Sequence, residues 1–175
     1  MQCFAYNRHV TAQNYIISFF AKQIKKTIFT KINSSMSNKL TVEIHSFSYK
    51  KGGIPKDDSG NGGGFVFDCR GILNPGRIEE YKSQTGNDVA VQEYLEENTK
   101  MPSFLHAVKS IVSINIDDYL ERGFENLQIN FGCTGGQHRS VYSALKITEF
   151  IKEKYPKVDV KIQHDEQPQL NKSQA

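Results

Sequence analysis

Nine consecutive residues, Gly132-Cys133-Thr134-Gly135-Gly136-Gln137-His138-Arg139-Ser140, hold most of the chemistry in this 175-residue chain. An apolar strand pattern precedes them and a helical one follows, so several backbone amides gather at a helix N-terminus, whose partial positive charge attracts anions. Gly135 and Gly136 let the backbone approach a ligand without Cβ clashes. Thr134 and Ser140 offer hydroxyls, and Arg139 offers a planar fork for phosphate or carboxylate. The expected ligand is phosphorylated or carboxylated; the plainer alternative is a glycine-rich turn whose arginine sits in a surface salt bridge. No GxxxxGK[ST] run occurs in the sequence, so the loop is not a Walker A motif.

Cys133 and Arg139 also have the C-x5-R-[ST] spacing of cysteine-dependent phosphatases. In those enzymes a thiolate of lowered pKa attacks phosphorus while the arginine holds the phosphoryl oxygens. Such catalysis needs a general acid. Asp117 and Asp118 fall within a helix pattern, and Asp68 is placed to orient Arg70. Cys133 therefore reads first as a small residue packed beneath an anion loop and second as a nucleophile. His138 reads as a ligand contact before a proton carrier. Asp68 and Arg70 flank Cys69 and share one side of a strand end, either as an ion pair bordering the pocket or with Arg70 touching the ligand. Lys50, beside Lys51, either reaches the pocket or is solvated. The expected ligand-binding set is Cys133, Thr134, Gly135, Gly136, Gln137, His138, Arg139 and Ser140 with Asp68, Arg70, Asn74 and Lys50. No catalytic residue, metal or cofactor is expected, with Cys133 and Arg139 as the catalytic alternative.

These residues need an α/β scaffold. Leu40, Val42 and Ile44 alternate with Thr41, Glu43 and His45 as a half-buried strand. A Gly/Asp/Ser-rich loop spans Lys50 to Gly64. Phe65-Val66-Phe67 then reads as a buried parallel strand delivering Asp68 and Arg70. Asn74-Pro75-Gly76 makes a turn, and Val89 to Asn98 a short helix. A longer helix begins at Pro102-Ser103, carries Phe104, Leu105, Val108, Ile111, Val112, Tyr119 and Leu120 on one face, and stops at Gly123. Leu127, Ile129 and Phe131 form a strand running into the glycine loop. The next helix presents Val141, Ala144, Leu145 and Ile151 and ends before Pro156. Val158, Val160 and Ile162 mark a fourth strand. The expected fold is α/β, a mostly parallel sheet of about four strands flanked by helices, with ligands at strand carboxyl ends.

The longest apolar run, Tyr15 to Ala21, is too short to cross a bilayer, which takes roughly 20 residues. Three cysteines at wide spacings, with no CxxC pair, fit a reduced cytoplasmic protein. Residues 1–35 hold five Lys or Arg and no Asp or Glu, which leaves 17 basic against 19 acidic residues in the remainder. The net charge of +3 therefore belongs to that segment and gives the rest no bulk-charge argument for nucleic-acid binding. Residues 1–35 read as a disordered extension upstream of a true start at Met36, ahead of an organelle-targeting peptide or a membrane-surface helix. Residues 36–166 form the domain, and 167–175 a flexible tail.

The nine-residue loop resembles the GCTGGxHRS signature of the C-terminal domain of the RNase adapter protein RapZ family. Further segments are similar in the same order. Ser46-Phe47-Ser48-Tyr49-Lys50-Lys51-Gly52-Gly53-Ile54-Pro55 is similar to the family's SFGFKxGIP. Phe67-Asp68-Cys69-Arg70 with Asn74-Pro75 is similar to FDxRxLxNP, Thr85-Gly86 matches a TG, and His164 falls near a late histidine. The resemblance covers about residues 40 to 166. It implies a domain like a phosphofructokinase subdomain that binds an amino-sugar phosphate and, in some members, a small RNA and its processing enzyme. The family's N-terminal kinase-like half, with its Walker motifs, is expected to be absent from this chain. Gly76 stands where sugar-phosphate-binding members have histidine, and His164-Asp165-Glu166-Gln167-Pro168 lacks the Lys/Arg cluster of RNA-binding members. The expected function is a non-catalytic adapter module that binds a phosphorylated sugar or another small oxyanion. A cysteine-dependent phosphatase and an RNA-binding module are the alternatives, with a partner protein and homo-oligomerisation as further expectations.

Overall fold

A computed structural model describes residues 39–61 and 63–171 together with Ile17, Phe19 and Gln23. The chain divides into one unit over Met1–Asn38 and another over Lys39–Ala175, and the second carries the fold below. Apart from the three positions named, the reading of residues 1–35 lies outside the described residues.

Four strands, β1 (Thr41–Ser48), β2 (Phe65–Asp68), β3 (Asn126–Cys133) and β4 (Asp159–His164), form one all-parallel sheet in the order β2-β3-β1-β4. The helices are α1 (Val89–Asn98), α2 (Met101–Arg122), α3 (Arg139–Lys154) and α4 (Pro168–Asn171), with three short 3-10 turns between β2 and α1. Register sets the two faces. Ile44 lies abreast of Ile129 and Ile162, and Phe67 abreast of Phe131, so the apolar side chains of all four strands share one side. The helices cover that side: α3 lies across β3, β1 and β4, and α2 packs on α3. Val42, Ile44, Ile129 and Phe131 are buried there with Val108, Val112 and Ile116 of α2 and Ile147 and Ile151 of α3. Parallel pairing forces each strand to return through a crossover, so the helices between strands follow from the sheet type. Gly123 ends α2 in the left-handed conformation, its N–H donating to the Tyr119 carbonyl.

Two expectations are corrected. Phe65-Val66-Phe67 is an edge strand rather than a fully buried one: β2 pairs only with β3, and Val66 is 41% exposed. Its phenylalanines still face the core, Phe67 stacking on Phe131 at 5.4 Å and meeting Phe104 edge-on. On α2, Ile111 and Leu120 are exposed, whereas Met101 and Ile116 are buried. The buried stripe is narrower than the apolar spacing implies and runs through Met101, Leu105, Val108, Val112 and Ile116.

The other side of the sheet is polar. Glu43, Gln128 and Lys161 lie abreast on it, as do His45, Asn130 and Gln163. Parallel sheets usually have both faces covered, and here the loop between β1 and β2 serves that purpose: Gln128 donates to the Lys56 carbonyl at 3.2 Å. A cavity of about 700 Å³ lies along this face, lined by Glu43, His45, Lys56 and Lys161 among others. Within the segment expected as a tail, α4 is fastened to β4 where the Asn171 side chain accepts from the His164 backbone N–H at 2.8 Å. Among the described residues no helix is long and apolar enough to cross a membrane.

The difference between centre and edge is testable. Ile129→Ala, at a fully buried position of β3, is expected to lose about 2–5 kcal/mol of stability in chemical denaturation. Val66→Ala, on the edge strand, is expected to lose under about 1 kcal/mol.

Candidate functional site

β3 ends at Cys133 and α3 begins at Arg139, so the five residues between them turn the chain at the carboxyl edge of the sheet. The end of β1 fixes this turn. The Tyr49 amide donates to the Cys133 carbonyl at 3.0 Å, and the Ser48 hydroxyl to the Thr134 carbonyl at 2.8 Å. Gly136 has φ +66°, and a Cβ there would lie 2.5 Å from Glu166 Cγ, so conformation and space both call for glycine. From the other side, Gln137 donates to the Lys82 and Gln84 carbonyls at 2.9 and 2.6 Å. His138 Nε2 lies 2.8 Å from the Tyr81 carbonyl; a carbonyl only accepts, so Nε2 carries the proton. Burial holds His138 below its ordinary pKa against the raising effect of the Tyr81 carbonyl, and the Arg139 charge adds to the lowering. The Gly86 amide donates to the Gln137 carbonyl at 2.9 Å. A Cβ on Gly86 would stand 2.1 Å from the His138 carbonyl oxygen, so the segment before α1 lies directly on the loop.

Arg139 is only 4% exposed. Its Nη1 donates to the carbonyls of Ile72, Arg70 and Cys69 at 2.7, 3.1 and 3.4 Å. Nη2 makes one long contact, 3.4 Å to Thr134 Oγ1, and Nε has no partner although it is buried. One edge of the guanidinium is thus committed to the backbone. The edge formed by Nε–H and Nη2–H, which is the one that grips an oxyanion side-on, keeps nearly all its donor capacity.

Two adjoining cavities share Asn74, Thr134 and Arg139. One, of about 230 Å³, is also lined by Gly76, Lys82, Cys133, Gly135, Gln137 and His138. The other, of about 350 Å³, is lined by Arg70, Arg77 and Tyr94 among others. Of the expected set, Cys133, Thr134, Gly135, Gln137, His138, Arg139, Asn74 and Arg70 come together here. Asp68, Lys50, Gly136 and Ser140 line neither cavity. Asp68 caps the turn after β2 and pairs with Arg70 at 2.6 Å, and that hydrogen bond to Arg70 is the main cause holding its carboxyl below the usual range. Arg70 also lies over the Tyr49 ring, 3.9 Å from its centroid. Lys50 donates its amide to Ser48 Oγ. The Ser140 hydroxyl is fully buried against Cys133 Sγ at 3.1 Å. Sequence reasoning did not single out Arg77 and Lys82, and the basic residue just after the Asn74-Pro75 turn was the available signal.

Cys133 Sγ also accepts the Gly136 amide at 3.2 Å. Burial opposes its ionisation, but hydrogen bonds from Ser140 and Gln137 and the charge of Arg139 outweigh burial and lower its pKa. Cys69 is the reverse case, pushed up to about 12 mainly by burial. Among the described residues no group of three or more His, Cys, Asp or Glu could hold a metal ion.

A family model described as the RapZ C-terminal domain matches residues 40–168. A "Nucleotide-binding protein" of Endomicrobium trichonymphae is 35% identical over 144 residues, 81% of this chain and 47% of the relative. One of Limosilactobacillus reuteri (strain DSM 20016) is 40% identical over 122 residues, 70% of this chain and 40% of the relative. One of Bacillus pumilus is 35% identical over 134 residues, 77% and 43% respectively. The chain thus spans less than half the length of these curated relatives.

At the end of β4, His164 is buried with Nδ1 2.8 Å from Ser46 Oγ, and burial lowers its pKa to about 4. An unfolded imidazole titrates near 6.5, so as pH falls the unfolded state takes up this proton first. The stability tied to the neutral ring is complete above about 6.5 and is lost progressively down to about 4. Denaturant titrations between pH 7 and 4 are expected to show a smaller loss for His164→Gln than for the wild type.

Proposed function

The chain belongs to the RapZ C-terminal domain family, and from that premise we propose that it is a non-catalytic adapter module. It binds a phosphorylated sugar or another small oxyanion at the Gly132–Ser140 loop, in the cytoplasm, and presents its remaining surface to a protein partner or RNA. The observation that carries the reading is the Arg139 guanidinium, buried with one edge fastened and the Nε edge unpaired. A buried donor without a partner is costly, and an oxyanion at the helix N-terminus supplies the missing acceptor. Thr134, Gly135 and Asn74 line the space beside it, and Arg70 and Arg77 add positive charge in the adjoining cavity. The family's regulatory character supports an adapter role, and the relatives named for nucleotide binding are more than twice as long as the segments matched.

A cysteine-dependent phosphatase is the second reading, favoured by the hydrogen bonds onto Cys133 Sγ. Against it, among the described residues no carboxyl group lines the cavity over the sulfur, and Asp68 is tied to Arg70. A leaving group there has no evident acid.

The first test is calorimetric titration with inorganic phosphate and sugar phosphates. Arg139→Lys keeps the charge and loses the side-on edge. It is expected to weaken binding about tenfold or more, the equivalent of one charge-assisted hydrogen bond of roughly 1.5–3 kcal/mol. Equal affinity in wild type and variant, with circular dichroism unchanged, rejects the site. Sustained phosphate release from an aryl phosphate that vanishes in Cys133→Ser supports the phosphatase, and salt-sensitive retention of RNA the RNA-binding module. A chain beginning at Met36 is expected to unfold cooperatively and to bind phosphate as the full chain does, which differential scanning calorimetry checks.

A further inference from the structure

We propose that Cys133 is a site of oxidative modification: a hydroperoxide converts its thiolate to a sulfenate, and a low-molecular-weight thiol then caps it as a mixed disulfide that closes the anion site. Closure of the site rests on the anion-binding function proposed above; the modification does not.

Position comes first. The sulfur is nearly covered, with Cys133 3% exposed, yet it borders the cavity of about 230 Å³ over the loop, which is ample for hydrogen peroxide. Reactivity comes next. Hydrogen bonds to sulfur from the Gly136 amide and Ser140 at 3.2 and 3.1 Å stabilise the thiolate, the form that reacts. An independent feature points to a negatively charged visitor. Arg139, 96% buried by its 4% exposure, lines the same cavity and keeps Nε–H without an acceptor. The oxygen of a sulfenate is such an acceptor. Cys69 is a control within the same molecule: fully buried, it faces Ser143 Oγ at 3.6 Å, borders neither cavity of the site, and burial keeps its thiol protonated.

The chemistry balances. A sulfur lone pair attacks one peroxide oxygen, an S–O bond forms, the O–O bond breaks, and the departing hydroxide takes the proton of the new sulfenic acid, leaving sulfenate and water. Sulfur loses two electrons and the peroxide gains them. The sulfenate takes up a proton, the thiolate of a cap such as glutathione attacks the sulfenic sulfur, S–S forms as the S–O bond breaks, and the departing hydroxide is protonated by solvent to water. The attached peptide is far larger than the cavity and stands where an oxyanion would bind.

The full chain is treated with hydrogen peroxide and a 1,3-dione that traps sulfenates, and peptides containing Cys3, Cys69 and Cys133 are mapped separately by mass spectrometry. Cys133 is expected to be trapped at least tenfold faster than Cys69, and several-fold more slowly in Ser140→Ala. Trapping of Cys133 no faster than Cys69 in the wild type overturns the proposal, whatever the variant does. In a second arm, protein capped with glutathione is expected to lose its thermal stabilisation by inorganic phosphate and regain it with dithiothreitol. Undiminished stabilisation of the capped protein overturns the closure. Untreated protein that phosphate does not stabilise refutes the anion-binding function instead, while the trapping ratio still decides the modification.

Discussion

Nη1 of Arg139 donates to three consecutive-turn carbonyls, those of Cys69, Arg70 and Ile72, and so joins the first residue of α3 to the chain leaving β2. Those carbonyls lie in and just after a tight 3-10 turn in which the Ile72 N–H also donates to the Cys69 carbonyl, and buried carbonyls left unpaired are costly. The rest of the site follows from this junction. It holds the turn that carries Asn74 against the loop that carries Thr134, and it leaves the Nε edge of the guanidinium without a protein acceptor. Gln137 and His138 extend the seam by holding the carbonyls of Tyr81, Lys82 and Gln84. The loop is consequently rigid on both flanks before any ligand arrives, which lowers the ordering cost of binding.

The same junction explains the contrasting cysteines. Both lie at carboxyl ends of adjacent strands and both are buried. Cys133 is the last residue of β3 and its sulfur accepts the Gly136 amide, whereas Cys69 opens a turn whose Arg70 and Ile72 amides are bonded to Asp68 and to the Cys69 carbonyl. Burial acts against ionisation at both sulfurs, and only at Cys133 do the hydrogen bonds of the loop and the Arg139 charge outweigh it.

Much of this organisation was legible in the sequence. Val89 to Asn98 and the stop at Gly123 follow from apolar spacing and a cap glycine, and the run from Gly132 to Ser140 announces itself by three glycines between a strand and a helix. The family assignment could be made from that run because its residue types are so constrained. What could not be read was long-range. Val66 belongs to an apolar triplet whose exposure depends on being at the edge, a property of strand order rather than of composition. Arg139 looked like a residue wholly available to a ligand; that one of its edges is occupied depends on carbonyls some seventy residues earlier in the chain. Ser140 was placed in the ligand set as a hydroxyl, and only the geometry of the first helical turn shows it aimed at sulfur. Local signals reported residue type and order, and tertiary contacts decided which atoms remained unused.

The sheet is asymmetric in a way that bears on how such a domain can change over generations. Its apolar side is filled by interlocking helices, where a single added methylene must be accommodated by neighbours. Its polar side carries Glu43, Gln128 and Lys161 under an irregular loop, so length variation at the exposed residues 58–61 of that loop meets solvent instead of a close-packed interior. A longer or shorter loop there costs little in folding, while an exchange on the opposite side has to be met by its neighbours. The domain has one conservative surface and one experimental one, back to back on four strands.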